Sequence, residues 1–179
     1  MSRFVTQSLL GLCLLIGVWS GPAIAGWDPE AEQRAQEAIA DFKQANPRLE
    51  VFFAKSHGYA VFPEVTKGGL IFGGAHGSGT VYEGGKVIGT SSVTQVTFGL
   101  QAGGQTFREV VFFKDKEALE RFKAGNFEIA ADVSAVALEN STSDSLDFGG
   151  GIAVFTLAIG GLMFEASVGG QQFSFDPKP

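Results

Sequence analysis

The chain has 179 residues, 45% of them hydrophobic and 18% charged, with 25 glycines, 17 phenylalanines and a formal net charge of −6. The acidic balance, with no run of Lys or Arg anywhere, argues against nucleic-acid binding, because such a surface repels a phosphate backbone. Abundant phenylalanine and glycine with sparse charge argue against a disordered tail and suit buried, tightly turned strands.

The first segment reads as an export signal. Arg3 gives a positive start, Leu9–Trp19 is an uncharged apolar run, and Gly21 and Pro22 break it. Ala23-Ile24-Ala25 then places small residues at −3 and −1 of a cleavage before Gly26. The run is short for a membrane-spanning helix, which needs about 20 residues. The expected organisation is a signal peptide over 1–25 and a single domain over 26–179. Cys13, the only cysteine, sits inside the apolar run behind Leu12, a poor match to a lipoprotein acylation site. The mature chain then has no cysteine and needs no disulfide, thiolate nucleophile or cysteine-held metal. Removing Arg3 from the 13 Lys and Arg leaves 12 against 19 Asp and Glu, a net charge of −7.

The mature N-terminus carries a helix signal. Asp28 caps, Pro29 takes the first helical position, and Glu30 and Glu32 favour the positive dipole end. Ala31, Ala35, Ala38, Ile39 and Phe42 recur at helical spacing. Asn46-Pro47 ends this helix, and Pro47 opens a short second one with Leu49, Phe52 and Phe53 on its apolar side, closed by His57-Gly58.

From Tyr59 the pattern changes to strands and glycine turns. Candidate strands are Tyr59–Phe62, Leu70–Phe72, Gly79–Tyr82, Lys86–Gln95, Phe98–Gly103 and Glu109–Phe113. Gly84-Gly85 is a hairpin turn in which both positions tolerate positive φ. Asp115 caps a short helix to Lys123, with Leu119 and Phe122 facing the core and Gly125 stopping it. Phe127–Leu138 is strand-like and Glu139–Asp147 is a polar loop. Ile152–Leu157 and Leu162–Val168 read as a final hairpin around Gly160-Gly161, with Gln172–Phe175 as an edge. A membrane helix over Gly149–Met163 is rejected on its five glycines and the nearby Glu165. An eight-stranded outer-membrane barrel is opposed by the helical N-terminus and by having only Trp27, Tyr59 and Tyr82 for aromatic girdles. The expected class is α+β: a large antiparallel β-sheet, with barrel-like closure as one option, N-terminal helices and one short internal helix.

No catalytic machinery is recognisable. His57 and His76 match no metal spacing and read as turn or surface residues. Gly73–Gly79 lacks the Gly-Lys-Ser/Thr ending and the following helix of a phosphate loop, and reads as a tight strand–turn–strand whose glycines allow positive φ. His76 stands where a nucleophile elbow around Ser78 would have its first glycine. Asp144 and Asp147 lack the alternating ligands of an EF-hand. Glu64 and Lys67 flank one turn as a surface ion pair worth little. Glu165 is the most unusual carboxylate, best read as an outward-facing strand position. No cofactor is implied.

Phe62-Pro63-Glu64-Val65-Thr66-Lys67-Gly68-Gly69, continuing through Phe72-Gly73-Gly74-Ala75-His76-Gly77-Ser78-Gly79, resembles the SYLF domain family. The likeness extends through Phe98–Gln105, Phe122 with Gly125, Phe155, Gly161-Leu162 and Ser167–Gly170, nearly the whole mature chain. The resemblance implies a non-enzymatic lipid- or membrane-interacting module with a large antiparallel sheet. Eukaryotic members are described as binding phosphoinositides and in some cases actin, and bacterial members are typically exported. An exported chain would not normally meet actin. Here the N-terminal helix carries Glu30, Glu32, Glu37 and Asp41 against Arg34 and Lys43, so it gains little from an anionic surface. A lysine usual near the last glycine turn is replaced by Ile159-Gly160, while Lys67 matches the family's lysine.

The resulting expectation is a periplasmic or otherwise extracytoplasmic binding protein, peripheral to a membrane in one form. Its partner is a lipid or membrane surface, with a protein partner in an envelope-structural role as the alternative. Its site residues are Lys67, with Phe62, Gly68, Gly69, Gly73, Gly74, Gly77 and Gly79 as scaffold.

Overall fold

The structure, a computed structural model, describes residues 29–125, 128–129, 148 and 150–179. The proposed signal segment, Asp28, most of Phe127–Leu138 and the loop with Asp144 and Asp147 lie outside the described residues. Two helices come first, α1 (Pro29–Ala45) and α2 (Leu49–Lys55). In α1 the acidic residues Glu30 and Glu32 stand in the first turn and Lys43 in the last, matching the helix dipole. Ala35, Ala38, Ile39 and Phe42 form its buried stripe.

The sheet follows as β1 (Gly58–Gly69), β2 (Phe72–Glu83) and β3 (Lys86–Phe113). After α3 (Lys116–Lys123) come β4 (Glu128–Ile129), β5 (Ile152–Phe173) and β6 (Asp176–Pro177). All pairings are antiparallel. β1 and β2 form a hairpin, and β3 occupies both of its outer edges. The first half of β3 runs along β2, from Lys86 opposite Glu83 to Phe98 opposite Phe72. Its second half returns along β1, from Gly103 opposite Gly69 to Phe113 opposite Gly58. β5 follows the other edge of β3 from Ile152 opposite Phe113 to Phe173 opposite Val93, and β6 pairs with β3 at Gly89 and Thr90. The fold is α+β with N-terminal helices, as the sequence leads one to expect. The sheet is strongly curled but not closed into a barrel, so the barrel-like option falls away.

Curling gives the sheet an inner and an outer face, each with its own core. The inner core joins Phe62, Val65, Val93, Phe107, Val111, Phe113, Val154 and Phe173 to Leu119 and Phe122 of α3. The outer core joins Val61, Tyr82, Val110, Phe112 and Phe155 to the buried stripes of α1 and α2. Phe52 of α2 is its hub, with ring centroids 5.1 Å from Phe155 and 5.4 Å from Phe112. Asp115 caps α3 by accepting from the Ala118 amide at 2.9 Å, and Gly125 follows with φ 70°.

Pro63 lies in a central strand, where a missing N–H ordinarily breaks the ladder. A bulge absorbs it: the register shifts between Val61 and Glu64 against β2, and between Phe62 and Val65 against β3. Arg108 ties this irregularity to α1. Its Nη1 donates to the Pro63 carbonyl at 2.7 Å, and its Nη2 lies 2.7 Å from Asp41 Oδ2.

Several boundaries depart from the sequence expectation. Gly84-Gly85 is the hairpin turn foreseen, with φ of 55° and 78°. Leu70 and Ile71 form a turn, not the start of a strand. Gly73–Gly79 runs inside β2, not through a tight turn, and none of its glycines has positive φ. Lys86–Gln95, Phe98–Gly103 and Glu109–Phe113 are parts of one strand, with Gly103 at φ 122° near its bend. The expected hairpin around Gly160-Gly161 is continuous β5, in which Ile159 is the extra residue of a bulge opposite Thr106 and Phe107. Gln172 and Phe173 belong to that same strand.

The β2 glycines answer to closeness between strands rather than to turning. A Cβ on Gly79 would lie 2.5 Å from the Val61 carbonyl oxygen and 2.6 Å from the Phe62 ring. On Gly77 it would lie 2.6 Å from the Glu64 carbonyl oxygen. Gly74 has room, its nearest neighbour being the Gln95 carbonyl oxygen at 3.4 Å. Gly79→Ala is therefore expected to destabilise by about 1–3 kcal/mol, whereas Gly74→Ala stays within about 1 kcal/mol. Urea denaturation of the two variants beside the parent measures both.

Candidate functional site

The hairpin ends in an apolar apex. Leu70 and Ile71 are 70% and 60% exposed, Phe72 is 73%, and across the strand pair Val96 and Phe98 are 68% and 57% exposed. Phe72 and Phe98 are register partners with ring centroids 5.1 Å apart. Leu70–Ile71 is a turn without turn chemistry: neither residue has positive φ or a side chain that bonds its own backbone. The apex also lies in a region poor in charge. No Asp, Glu, Lys or Arg stands between Lys67 and Glu83 or between Lys86 and Arg108.

Just below the apex the sheet has a belt without side chains. Gly68 and Gly69 pair with Gly74 and Gly73 of β2 on one edge and with Gly104 and Gly103 of β3 on the other. The body lies at the opposite end. α2 leads directly into Gly58, and α3 follows Phe113, the partner of Gly58.

The residues singled out from the sequence separate in space. Gly68, Gly69, Gly73 and Gly74 make the belt, while Gly77 and Gly79 lie deeper along β2 under Val65 and Phe62. Phe62 is fully buried and its ring centroid is 5.6 Å from that of Phe173. It is a core residue, out of reach of a ligand at the surface. Lys67 is only 7% exposed, on the same face of β1 as Val65, with Ala75 and Gln105 as cross-strand partners. Glu64 and Lys67 lie within β1, not around a turn, with Glu64 exposed and Lys67 buried. A pocket of about 340 Å³ opens between α1 and the sheet, lined by Arg34, Glu37, Glu64, Thr80 and Arg108 among others. Its two arginines and two carboxylates give it no dominant sign.

Residues 94–178 match the family model Ysc84, described as "Las17-binding protein actin regulator". The second half of the chain thus matches the SYLF (Ysc84) domain model. A curated relative, "Beta cell expansion factor A" of Aeromonas veronii, is 27% identical over 145 residues, covering 79% of this chain and 54% of the relative. The chain thus spans about half the length of that relative.

The SYLF match includes the exposed Val96 and Phe98 and a buried carboxylate that the sequence reading passed over. Glu109 is 1% exposed, on the inner face between Phe107 and Val111. Its Oε2 accepts from Gln171 Nε2 at 2.8 Å, and its Oε1 has no hydrogen-bond partner among the described residues. The two residues come from different walls of the curl. Glu109 pairs with Phe62 and Thr156, whereas Gln171 pairs with Gln95, so their bond crosses the interior. Alternation through Phe107-Arg108-Glu109-Val110-Val111 would have placed Glu109 inward. For the apex, the available signal was Leu70-Ile71 bracketed by glycine pairs, which reads as a turn once both pairs are noticed.

His57 Nε2 lies 2.9 Å from Glu83 Oε1, and His76 Nδ1 lies 3.5 Å from Thr94 Oγ1. Among the described residues no three of His, Cys, Asp and Glu gather as a metal site. The backbone of Glu165 pairs with Gln101, and its side chain lies outside the described residues.

Burial pushes the Glu109 carboxyl up from 4.5 to about 7, partly opposed by the Gln171 hydrogen bond. A carboxyl with a raised folded pKa keeps its proton longer folded than unfolded. Stability therefore falls as pH rises from about 4.5 to about 7, then levels off. The loss is on the order of 3 kcal/mol. Glu109→Gln is expected to flatten this dependence, exceeding the parent in stability at pH 8 and converging with it near pH 4. Denaturation midpoints across pH read the difference directly.

Proposed function

We propose that this chain is an exported, non-enzymatic module that associates with lipid membranes. The observation that carries this is the apex: Leu70, Ile71, Phe72, Val96 and Phe98, exposed together at one end of the sheet. Scattered exposed apolar residues are ordinary, but a contiguous group at a tip is the mark of a contact surface. The match of residues 94–178 to a family described as Las17-binding points the same way. The export half of the reading is supported by Arg3, the Leu9–Trp19 run and Ala23-Ile24-Ala25.

Among the described residues no helix is long and apolar enough to cross a bilayer. Contact through the apex requires none. Because Lys67 is buried, a lipid phosphate reaches it only by entering the curl, so first contact falls to the apex. An exported chain of this kind does not meet actin, so the actin regulation named for the family is not carried over. The growth effect named for the Aeromonas veronii protein is not carried over either.

Vesicle flotation tests the membrane half. The double variant Leu70→Ser, Phe72→Ser is expected to lose about tenfold or more in vesicle partitioning, with its unfolding midpoint nearly unchanged because both side chains are exposed. No flotation of the parent, with a protein partner recovered by crosslinking in the envelope, would replace this reading with a protein-interaction module. Intact mass of the chain recovered from the periplasm of a bacterial host tests export. The expected mature species begins at Gly26.

A further inference from the structure

We infer that the membrane contact is made by the hairpin apex entering a neutral, zwitterionic bilayer, without electrostatic attraction to anionic lipid. This deepens the membrane reading above and rests on it. The reasons lie in the distribution of charge. From Gly68 to Tyr82 and from Val87 to Phe107 the chain has no Asp, Glu, Lys or Arg. On β5, Glu165 is the one charged residue between Ile152 and Phe173. The nearest charges to the apex along the strands are thus one of each sign. Lys67 precedes the glycine belt on β1, and Glu165 is in register with Gln101 at the bend of β3.

A surface led to anionic lipid needs several exposed basic groups at the point of contact, each worth about 1 kcal/mol near the headgroups. The apex presents none. The body adds repulsion: the chain is net −6, and α1 carries Glu30, Glu32, Glu37 and Asp41. What the apex presents is apolar area, with the exposed Thr94 and the half-buried Ser92 and Gln95 below it on β3. An apolar tip over an uncharged polar collar matches the hydrocarbon edge beneath a zwitterionic headgroup layer.

A second copy of the chain is a poorer occupant. The five apolar side chains offer on the order of 600 Å², below the ~800 Å² per partner of a standard stable interface. They also project around a two-residue turn, so two apices meet tip to tip over less than that.

The test uses the full chain with phosphatidylcholine vesicles, and with the same vesicles doped with phosphatidylglycerol, at low and high salt. Phe72→Trp, with Phe98→Trp as a second probe, reports insertion through quenching by brominated phosphatidylcholine beyond that of the parent's own tryptophans. The expected result is binding to pure phosphatidylcholine, changed by no more than about twofold by phosphatidylglycerol or salt, with both added tryptophans quenched. Binding that requires phosphatidylglycerol and is lost at high salt overturns the inference while leaving the membrane reading in place. So does binding with both probes unquenched, which moves the contact to another surface. Failure to bind either vesicle overturns the membrane reading itself. Lipid-free dimers in sedimentation that are abolished by Leu70→Ser, Phe72→Ser assign the apex to a second copy and overturn the inference.

Discussion

One strand serving both edges of a hairpin is the constraint from which the rest of the structure follows. β3 bonds to β2 on the way out and to β1 on the way back, so the β1–β2 pair has no free edge along its length. This removes the exposed N–H and C=O rows that make edge strands prone to aggregation. It also forces the sheet to curl tightly. The curl brings β1 so close over β2 that Gly77 and Gly79 leave no space for a Cβ, and it divides the apolar residues between two cores. β5 repeats the path of β3 one strand further out, so the bend is doubled rather than bridged.

The helices and the buried polar groups secure this shape at one end. α1 and α2 cover the outer face, α3 closes the inner face, and Arg108 joins the Pro63 bulge to Asp41 of α1. Glu109 and Gln171 connect two walls across the interior. A partly satisfied carboxyl there is expensive when ionised, and the aromatic contacts around it carry the packing. Phe62, Phe113 and Phe122 all lie within this core, with Phe173 5.2 Å from Phe122. Charge is thereby gathered at the helical end and nearly absent from the other.

Local signals in the sequence were reliable where the cause is local. The α1 stripe, the Asp115 cap, Gly84-Gly85 and the Gly125 stop depend on neighbours within a few residues, and each is where its pattern places it. Glycine misled wherever its cause is distant. A glycine that turns the chain and a glycine that yields to another strand look alike in one dimension. Gly73–Gly79 and Gly160-Gly161 therefore read as turns although both lie in strands. The long strands were cut into pieces for the same reason. The candidate site suffers in parallel: Phe62 belongs to the core and Lys67 is buried, while Leu70 and Ile71 read as strand although they form an exposed turn ahead of Phe72.

The glycine belt gives the sheet a crease. Stiffness in a β-sheet comes largely from side chains packed on its two faces, and three neighbouring strands have none at the level of Gly68-Gly69, Gly73-Gly74 and Gly103-Gly104. Across that line the backbone ladder is continuous, with Val96 and Thr97 of β3 beside Gly74 and Gly73 and with β5 beside Gly104 and Gly103. At that level β1, β2 and the returning half of β3 are joined by backbone hydrogen bonds alone. The apolar apex is thus set apart from the acidic body by a line in the sheet where bare backbone, not packed side chains, makes the connection.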